Sequence, residues 1–424
     1  MDKNFSWPCY SDEEANMVRS VLLSNKVNYW TGTQCREFER EFAEFVDCGF
    51  AVSVANGTVA LDLAFNALGL GSGDEVIVTS RTFLASVSSI VNCGATPIFA
   101  DVCGDSQNIT SKSIEEVISS KTKAILCVHL AGWPCDMKEI LEIADRCELL
   151  VIEDCAQAHG ARYKGRSVGG FGHVAAWSFC QDKIMTTGGE GGMVTTNDES
   201  LWRKMWAFKD HGKSYEAVYE RDHPAGFRWL HESFGTNWRM TEMQASIGRI
   251  QLQRMSEWTR LRNRNASILS AKFNEFDHDK GPLRIPRLNC GSCDKCGSEN
   301  FAEGCVHAYY KYYVFIRPDN LADGWSRDRI IEEITSEDIP CLQGSCSEVY
   351  LEKAFDGTDF RPDERLAVAK RLGETSLMFL VHPTLLIENI NRTADLAAAV
   401  FRRAQVGVPS GKVNTKQRTS EEQI

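Results

Sequence analysis

Lys183 stands in the stretch Ser178 to Gly192, SFCQDKIMTTGGEGG, among small polar residues and just before a dense run of glycines. A lysine whose ammonium group is only solvated needs no such surroundings. A lysine that bonds covalently to a carbonyl compound, however, needs backbone packed closely around its ligand. The composition of this stretch therefore marks Lys183 as a candidate nucleophile toward an aldehyde or ketone.

A candidate phosphate-binding turn lies earlier, in the stretch ANGTVAL at 55–61, where a predicted strand turns directly into a predicted helix. Gly57 would let the backbone approach a ligand closely, and Thr58 would offer a hydroxyl at the helix N-terminus. Such a turn can bind a phosphate. The alternative is that Asn-Gly is an ordinary turn with no ligand.

A pair of acidic residues follows an apolar run in VIEDCAQAHG, residues 151–160, where Glu153 and Asp154 end a predicted strand and Gln157 comes close behind. A carboxylate at the end of a buried strand costs free energy unless it has a partner. It could ligate a metal, orient a base or hold a protonated ring nitrogen. Taken alone, a structural cap is the simpler interpretation.

These three features together indicate one cofactor. Pyridoxal phosphate carries a phosphate, a ring nitrogen that needs an anion, and an aldehyde that needs a lysine. The phosphate-binding turn, the strand-end carboxylate and Lys183 supply these in order along the chain, with Ser178 five residues before the lysine. The combination therefore predicts pyridoxal 5'-phosphate.

The elements that must position these residues form an α/β pattern. From about 51 to 194, short apolar runs alternate with amphipathic helical stretches, which is typical of a mostly parallel sheet covered by helices, with ligands at the carboxyl ends of its strands. We expect a large cofactor-binding domain at 1–255, with its N-terminal segment packed on the small domain. A smaller C-terminal α+β domain at 256–407 would carry a cysteine-rich insertion at 288–306, and 408–424 would be a disordered tail.

Composition restricts the class of protein. The 424 residues carry a formal net charge of −11, which argues against non-specific nucleic-acid binding. No apolar run approaches membrane-spanning length, and the sequence starts without an apolar signal segment. We therefore expect a soluble cytoplasmic protein that binds neither nucleic acid nor membrane.

The 16 cysteines include a group of four within sixteen residues, Cys290, Cys293, Cys296 and Cys305, in CGSCDKCGSENFAEGC. Four thiolates at this spacing predict a metal site, either tetrahedral zinc or an iron–sulfur cluster. The alternative is chance clustering in a cysteine-rich chain. Buried reduced thiols are the expected state of the scattered cysteines.

Several longer motifs resemble the DegT/DnrJ/EryC1/StrS family of sugar aminotransferases, which share fold type I of the pyridoxal-phosphate enzymes. They are NGTVALDLAFNALGLGSGDEVIVTSRTFLAS, GATPIFADV, VIEDCAQAHGARYKG, SFCQDKIMTTGGEGGMVTTND and GTNWRMTEMQASIGRIQL, and the resemblance runs from about residue 7 to 385. It implies these cofactor contacts: Gly57, Thr58 and Ser178 at the phosphate, Phe83 stacked on the ring, Asp154 at the ring nitrogen, Gln157 at the ring hydroxyl, Lys183 as the catalytic Schiff-base lysine, and Asn237 reaching the neighbouring subunit's phosphate.

The same resemblance implies a homodimer with active sites at the subunit interface. The implied activity is transfer of an amino group from glutamate or glutamine to a keto sugar, nucleotide-linked, in polysaccharide, lipopolysaccharide or secondary-metabolite sugar biosynthesis. Alternatives are a cyclitol or keto-acid-sugar aminotransferase, a dehydratase or redox variant with an iron–sulfur cluster, and a non-catalytic regulator that binds the cofactor. Dehydratase relatives carry histidine at the lysine position, so Lys183 favours transamination.

Candidate substrate residues lie where the chain departs from the family pattern. The stretch 209–234 is longer and more aromatic than expected, and it precedes Asn237. We expect Trp30, His211 and Trp238 to contact the sugar or nucleotide. His307 lies in VHAYYKYYVF, which resembles a family segment in which a histidine reaches toward the substrate, so it is a further candidate. For the tryptophans, packing in the core is the alternative.

Overall fold

The computed structural model describes residues 6–287 and 304–406. Described residues form thirteen strands, β1 to β13: Phe50–Val54, Glu75–Thr79, Thr96–Ala100, Thr122–Val128, Leu150–Asp154, Arg162–Tyr163, Arg166–Ser167, Val174–Ser178, Gly192–Thr196, Leu283–Arg284, Tyr312–Ile316, Cys341–Leu342 and Ser376–Phe379. They also form twelve α-helices, α1 to α12: Asp12–Leu23, Gln34–Phe45, Gly57–Ala67, Leu84–Asn92, Ser111–Glu115, Met137–Arg146, Glu199–Phe208, Tyr215–Tyr219, Glu242–Phe273, Arg327–Thr335, Ala367–Thr375 and Ile387–Ala404.

The central sheet has seven strands in the order β1-β9-β8-β5-β4-β2-β3. Neighbours from β8 to β3 are parallel, whereas β9 runs antiparallel to both β1 and β8. Because Val54 and Ser178 both lie opposite Gly192, β1 and β8 end at the same edge of the sheet. The predicted α/β class with a mostly parallel sheet is confirmed.

This sheet is apolar on both faces, as a sheet covered by helices must be. Strands β8 and β9 are buried at every position. Strand β5 begins with three apolar residues and ends with the buried pair Glu153 and Asp154. Helices α3 and α4 pack on one side, and the aromatic residues of α2 pack against Trp177 and Phe179 on the other.

A second sheet of four antiparallel strands, β10-β11-β13-β12, has its own hydrophobic core with α10, α12 and the end of α9. Helix α9 is 32 residues long and starts at a capping box formed by Thr241 and Gln244. Its first half packs beside α2, while Leu269 and Phe273 enter the second core. The helix continues without interruption through residue 255, the boundary predicted from the sequence between the large and the small domain. That division stays a prediction.

The N-terminal segment lies between the two cores. Trp7 contacts the Trp258 ring edge-on with centroids 5.0 Å apart and stacks on His382 at 6.0 Å. The backbone oxygen of Ser6 also accepts a hydrogen bond from Thr384 at 3.2 Å. Within the described residues, no helix is long and apolar enough to cross a membrane.

Candidate active site

A cavity of about 620 Å³ opens at the edge of the central sheet where β1, β5 and β8 end. The loops that follow these strands supply most of its wall. Seven of the eight residues that the sequence marks for cofactor binding line it: Gly57, Thr58, Phe83, Asp154, Gln157, Ser178 and Lys183. Residues far apart in the chain are therefore brought to one place by the sheet order.

One end of the cavity is the N-terminus of α3. Asn56 caps this helix, and its side-chain oxygen accepts the Val59 N–H at 3.0 Å. The N–H groups of Gly57 and Thr58 have no intrahelical acceptor, so they stay available to an anion. A Cβ atom at position 57 would lie 2.5 Å from Cβ of Ser178, so only glycine lets the helix and the β8 end approach this closely.

Asp154 forms another part of the wall and is only 6% exposed. Its Oδ2 accepts the Ser86 hydroxyl at 2.8 Å, and its Oδ1 accepts the Ala156 N–H at 3.1 Å. In 6–287 and 304–406 no basic side chain lies within ion-pair distance of it. A buried carboxylate without a cation suits a protonated ring nitrogen of a ligand.

Thr82 extends this arrangement. Its hydroxyl lies 2.8 Å from that of Ser86, and because Ser86 donates to Asp154, it can accept from Thr82. The chain Thr82–Ser86–Asp154 fixes the carboxylate toward the cavity. Sequence reasoning missed both hydroxyl residues; the only signal was their place in the quoted segment SRTFLAS at the end of β2.

Glu153, the neighbouring acid, points the other way and is structural. It is 1% exposed and accepts from His129 at 3.0 Å. Its other donors are three backbone N–H groups at 2.8 Å, those of Gly169, Phe171 and Gly172. Burial acts to raise the pKa of Glu153, but these hydrogen bonds outweigh it and hold the pKa below its ordinary value.

The same group could be taken for a metal site, since ligand atoms of His129, Glu153 and Cys155 lie within 4.8 Å of one another. The carboxylate, however, already accepts four hydrogen bonds, and Nδ1 of His129 accepts the Cys135 N–H at 2.9 Å. The lone pairs of the Glu153 carboxylate and of His129 Nδ1 are therefore already used by hydrogen bonds. The group acts as a structural link between β4, β5 and the loop before β8.

Gln157 and Phe83 complete the wall that faces a ligand ring. The Gln157 side-chain oxygen accepts the Ala131 N–H at 2.8 Å, which leaves its NH₂ group as the donor available to the cavity. Phe83 is the N-cap residue of α4 and is 71% exposed, an unusual fraction for a phenyl ring. An aromatic ring held out at a cavity wall suits stacking on a planar ligand.

Lys183 lies where this cavity meets a second one. Its side chain is mostly buried, with Nζ 3.9 Å from Oδ1 of Asp182 and 5.2 Å from the centroid of the Tyr310 ring. Its backbone oxygen accepts the indole N–H of Trp7 at 2.7 Å. The N-terminal segment therefore holds the lysine's own backbone.

The loop after Lys183 is fixed by its small polar residues. The Thr186 N–H donates to the side chain of Gln251 on α9 at 2.9 Å, and the Thr187 hydroxyl donates to the Glu190 carbonyl at 2.6 Å. Gly188 and Gly189 have φ values of 89° and 122°, which other residues rarely adopt. The sequence around the lysine thus encodes a rigid, tightly packed loop.

The second cavity, of about 630 Å³, shares Phe83, Gln157 and Lys183 with the first. Its own walls come from the region after residue 304, including Tyr310, Lys311, Tyr313, Gln343, Gly344 and Ser345. The Tyr310 hydroxyl donates to the carboxylate of Asp182. Sequence reasoning missed these residues, although VHAYYKYYVF placed one lysine among aromatics.

The predicted substrate residues lie outside both cavities. Trp30 packs edge-on against Trp206 at 5.9 Å, and Trp238 contacts Phe208 at 5.3 Å. His307 is buried between Trp133 and Tyr309, with its Nδ1 accepting the Tyr309 N–H at 2.9 Å, and burial lowers its pKa to about 3. His211 and Asn237 are exposed and line neither cavity.

The predicted cysteine site falls mostly outside the described residues, which exclude Cys290, Cys293 and Cys296. Cys305 is described and buried, and its Sγ accepts the Lys164 N–H at 3.4 Å. Zinc or an iron–sulfur cluster at these four positions stays a prediction.

Comparison with known proteins gives a consistent result. The model of the DegT/DnrJ/EryC1/StrS aminotransferase family matches residues 8–396. The GDP-perosamine synthase of Escherichia coli O157:H7 is 44% identical over 63% of this chain and 71% of its own length. The L-glutamine:2-deoxy-scyllo-inosose aminotransferase of Streptomyces kanamyceticus is 36% identical over 78% of this chain and 74% of its own. An aminotransferase structure from Psychrobacter cryohalolentis is 61% identical with a TM-score of 0.90, covering 94% of this chain and 99% of its own.

Proposed function

The chain belongs to the DegT/DnrJ/EryC1/StrS aminotransferase family and is a pyridoxal-phosphate-dependent aminotransferase; from this premise we propose that it moves an amino group from glutamate or glutamine to a nucleotide-linked keto sugar. The product would enter polysaccharide, lipopolysaccharide or secondary-metabolite biosynthesis. Support for the sugar comes from the GDP-perosamine synthase relative. The observation that supports this proposal most directly is that seven residues predicted to bind the cofactor line one cavity at the sheet edge.

These residues fit the cofactor group by group. The free N–H groups at the start of α3, with Thr58 and Ser178, would hold the phosphate. Asp154 would hold the proton on the ring nitrogen, Gln157 would donate to the ring hydroxyl, and Phe83 would cover the ring face. Bound pyridoxal phosphate supplies an aldehyde that takes up the amino group and a protonated ring that accepts electrons when the donor's Cα proton leaves.

The chain's own residues would do the remaining work. Lys183 would hold the cofactor through its Nζ, and the same amine would take up the proton that leaves the donor Cα. Asp154, fixed by Ser86, keeps the ring nitrogen charged through the transfer. The rigid loop from Thr186 to Gly191 keeps Nζ aimed at the cavity.

We also propose a homodimer that completes the site. Asn237 is exposed and does not line its own chain's cavity, which suits a residue that reaches the phosphate in a partner subunit. His211 and Trp238 lie close to Asn237 in the stretch 209–238, and Trp30 packs against Trp206 and Lys213 of the same region. These three residues would reach the substrate in the partner's site. His307 stays a predicted substrate residue, as do the cytoplasmic location and the zinc or iron–sulfur site.

A second candidate function is amination of a cyclitol ketone. It is favoured by the L-glutamine:2-deoxy-scyllo-inosose aminotransferase relative, which matches a larger share of this chain than the GDP-perosamine synthase does. The two candidates differ in charge, because a nucleotide-linked sugar carries a diphosphate and a cyclitol ketone carries none.

The test is visible spectroscopy of the purified protein loaded with pyridoxal phosphate, compared with Lys183→Ala. Glutamate or glutamine should bleach the bound cofactor's absorption in the wild type. A GDP-, dTDP- or UDP-linked 4-keto-6-deoxy sugar should then restore it. Restoration by scyllo-inosose and not by the sugars would select the second candidate. No spectral response to any amino donor would contradict both. Metal analysis of the same sample tests the cysteine site.

A further inference from the structure

Two ammonium groups flank one aromatic ring where the two cavities meet. Nζ of Lys183 lies 5.2 Å from the centroid of the Tyr310 ring, and Nζ of Lys311 lies 4.8 Å from the same centroid. These distances bound the separation of the two nitrogens at about 10 Å. Lys311 also lines the second cavity. A second cation therefore stands beside the reacting lysine.

Lys311 has no anionic partner in the chain as described. Across 6–287 and 304–406, no carboxylate lies within ion-pair distance of its Nζ. The acidic group acting on it, Asp182, already accepts the Tyr310 hydroxyl. Its other charged neighbours are cations, Arg262 and Lys183. A mostly buried cation in such surroundings is costly unless a ligand brings the missing negative charge.

These surroundings change the pKa of Lys311. Burial, followed by the cations Arg262 and Lys183 and opposed by Asp182, lowers the pKa of Lys311 from its ordinary value to about 8. The group is still largely cationic at neutral pH. It can therefore bind an anion.

A further cation, Arg81, lies near the same cavity without lining it. Arg81 is wholly buried, and its Cζ lies 5.8 Å from the ring of Tyr313, which lines the cavity. Arg81 donates to Gln107 at 2.9 Å and to Ser376 at 3.3 Å, and its Nη1 has no partner among the described residues. Its neighbours in this network are neutral, so its positive charge adds to the potential of the cavity.

We propose that Lys311 binds the α-carboxylate of the amino donor, a proposal that rests on the aminotransferase function above. An amino acid donor carries its carboxylate on the same carbon that must give up a proton to Lys183. A cation that recognises this carboxylate has to lie within a few ångströms of the reacting atoms. Lys311 lines the adjoining cavity with its Nζ at most about 10 Å from Nζ of Lys183, which leaves room for a donor with its Cα at one amine and its carboxylate at the other.

The same chemistry could come from the substrate, as the diphosphate of a nucleotide or a carboxylate on the sugar. Position favours the donor. A donor carboxylate is one bond from the carbon that reacts, whereas the anionic groups of a nucleotide-linked keto sugar are several bonds from its ketone. The experiment separates the two sources.

The experiment uses holoenzyme and 2-methylglutamate, a donor analogue with no Cα hydrogen, which binds the cofactor without completing transfer. Its Kd is read from the visible absorption of bound pyridoxal phosphate in wild type, Lys311→Met, Lys311→Gln and Lys311→Arg. The exposed Lys112→Met serves as the matched control. Loss of a charge-assisted hydrogen bond should raise Kd about tenfold or more in the neutral variants, and arginine should restore most of the affinity.

The second ligand is GDP-perosamine, a nucleotide-linked amino sugar that stands for the product, titrated against the same variants. Unchanged product affinity, together with weakened 2-methylglutamate binding, supports the proposal. Weakened product binding with unchanged 2-methylglutamate binding overturns it and assigns Lys311 to the substrate's anion. Equal affinities of all variants for both ligands overturn it too. If glutamate does not change the visible absorption of wild-type holoenzyme, the aminotransferase function itself is contradicted, and the proposal is overturned with it. The cofactor content of each variant shows that its site is folded.

Discussion

Ser86 on α4 donates its hydroxyl hydrogen to Oδ2 of Asp154 at the end of β5, across 2.8 Å. The hydrogen bond joins the helix that carries Phe83 at its start to the strand that carries Asp154, the proposed partner of the ring nitrogen. It fixes the carboxylate without neutralising its charge, because a hydroxyl donor leaves the carboxylate anionic. The sheet and the helix thus share one rigid contact at the site.

Replacing Ser86 with alanine should therefore lower kcat roughly three- to tenfold, the range expected for one lost neutral hydrogen bond. Cofactor content should stay near wild type, because the phosphate contacts remain. Asp154→Asn removes the charge itself and should cost on the order of 10² or more in kcat.

Ser89→Ala is the matched control for that prediction. Ser89 lies on the same helix, is buried, and its hydroxyl has no partner among the described residues. Its loss should leave kcat unchanged. Equal effects at positions 86 and 89 would argue for a general disturbance of α4.

Gly57→Ala should weaken pyridoxal phosphate binding, measured as Kd by equilibrium dialysis, by about tenfold or more. The added Cβ would lie 2.5 Å from Cβ of Ser178, so the helix N-terminus must move away from the phosphate site. Gly71→Ala is the control, since its Cβ would meet only a carbonyl oxygen at 3.6 Å. Wild-type Kd in Gly57→Ala would contradict the close approach of α3 and β8.

Subunit mixing tests Asn237. Lys183→Ala and Asn237→Ala homodimers should each have little activity. If Asn237 serves the partner's site, a mixed dimer contains one intact site, and unfolding and refolding the two variants together should restore roughly a quarter of wild-type activity. If it serves its own subunit, mixing restores nothing.

The pH dependence of inhibition by glutarate should follow Lys311. Lysine is cationic below its pKa, so dicarboxylate binding should be strongest below pH 8 and weaken as pH rises through about 8. Glutarate stays doubly ionised throughout this range. The charged neighbours Asp182, Arg262 and Lys183 are present in every variant, so Lys311→Arg should lose only the part of the pH dependence that comes from Lys311. Competition assays against glutamate measure it.

Glu153→Gln should destabilise the apoprotein by about 1–3 kcal/mol in urea unfolding, because an amide cannot accept from all four donors. The lowered pKa of Glu153 means that its stabilisation is complete above its unfolded pKa and is lost as pH falls through the folded value. The variant should therefore show less of the acid-induced loss of stability that the wild type shows as pH falls below the ordinary pKa of a glutamate. An unchanged stability would contradict its structural role.

The sheet and the strand-end residues that line the first cavity could be predicted because the signals are local. Apolar strands alternate with amphipathic helices, and each strand end carries its own polar residue, as in Asn56–Thr58 and Asp154. Parallel order then brings these ends together. No long-range information was needed to find Lys183.

The rest of the site depends on packing between distant segments. Tyr309 has a φ of 46°, so the chain turns there: His307 goes under Trp133, and Lys311 goes to the cavity four residues later. Spacing alone cannot tell which of the two polar residues faces the ligand. Likewise, nothing local pairs Ser86 with Asp154, 68 positions away.

The hydrogen bond from the Trp7 indole to the Lys183 carbonyl has a practical consequence for handling the enzyme. A change at Trp7 would reach the backbone of the loop that carries Lys183 through this hydrogen bond. The same contact makes Trp7 a natural fluorescent reporter, whose emission should change when a ligand alters the backbone around the lysine.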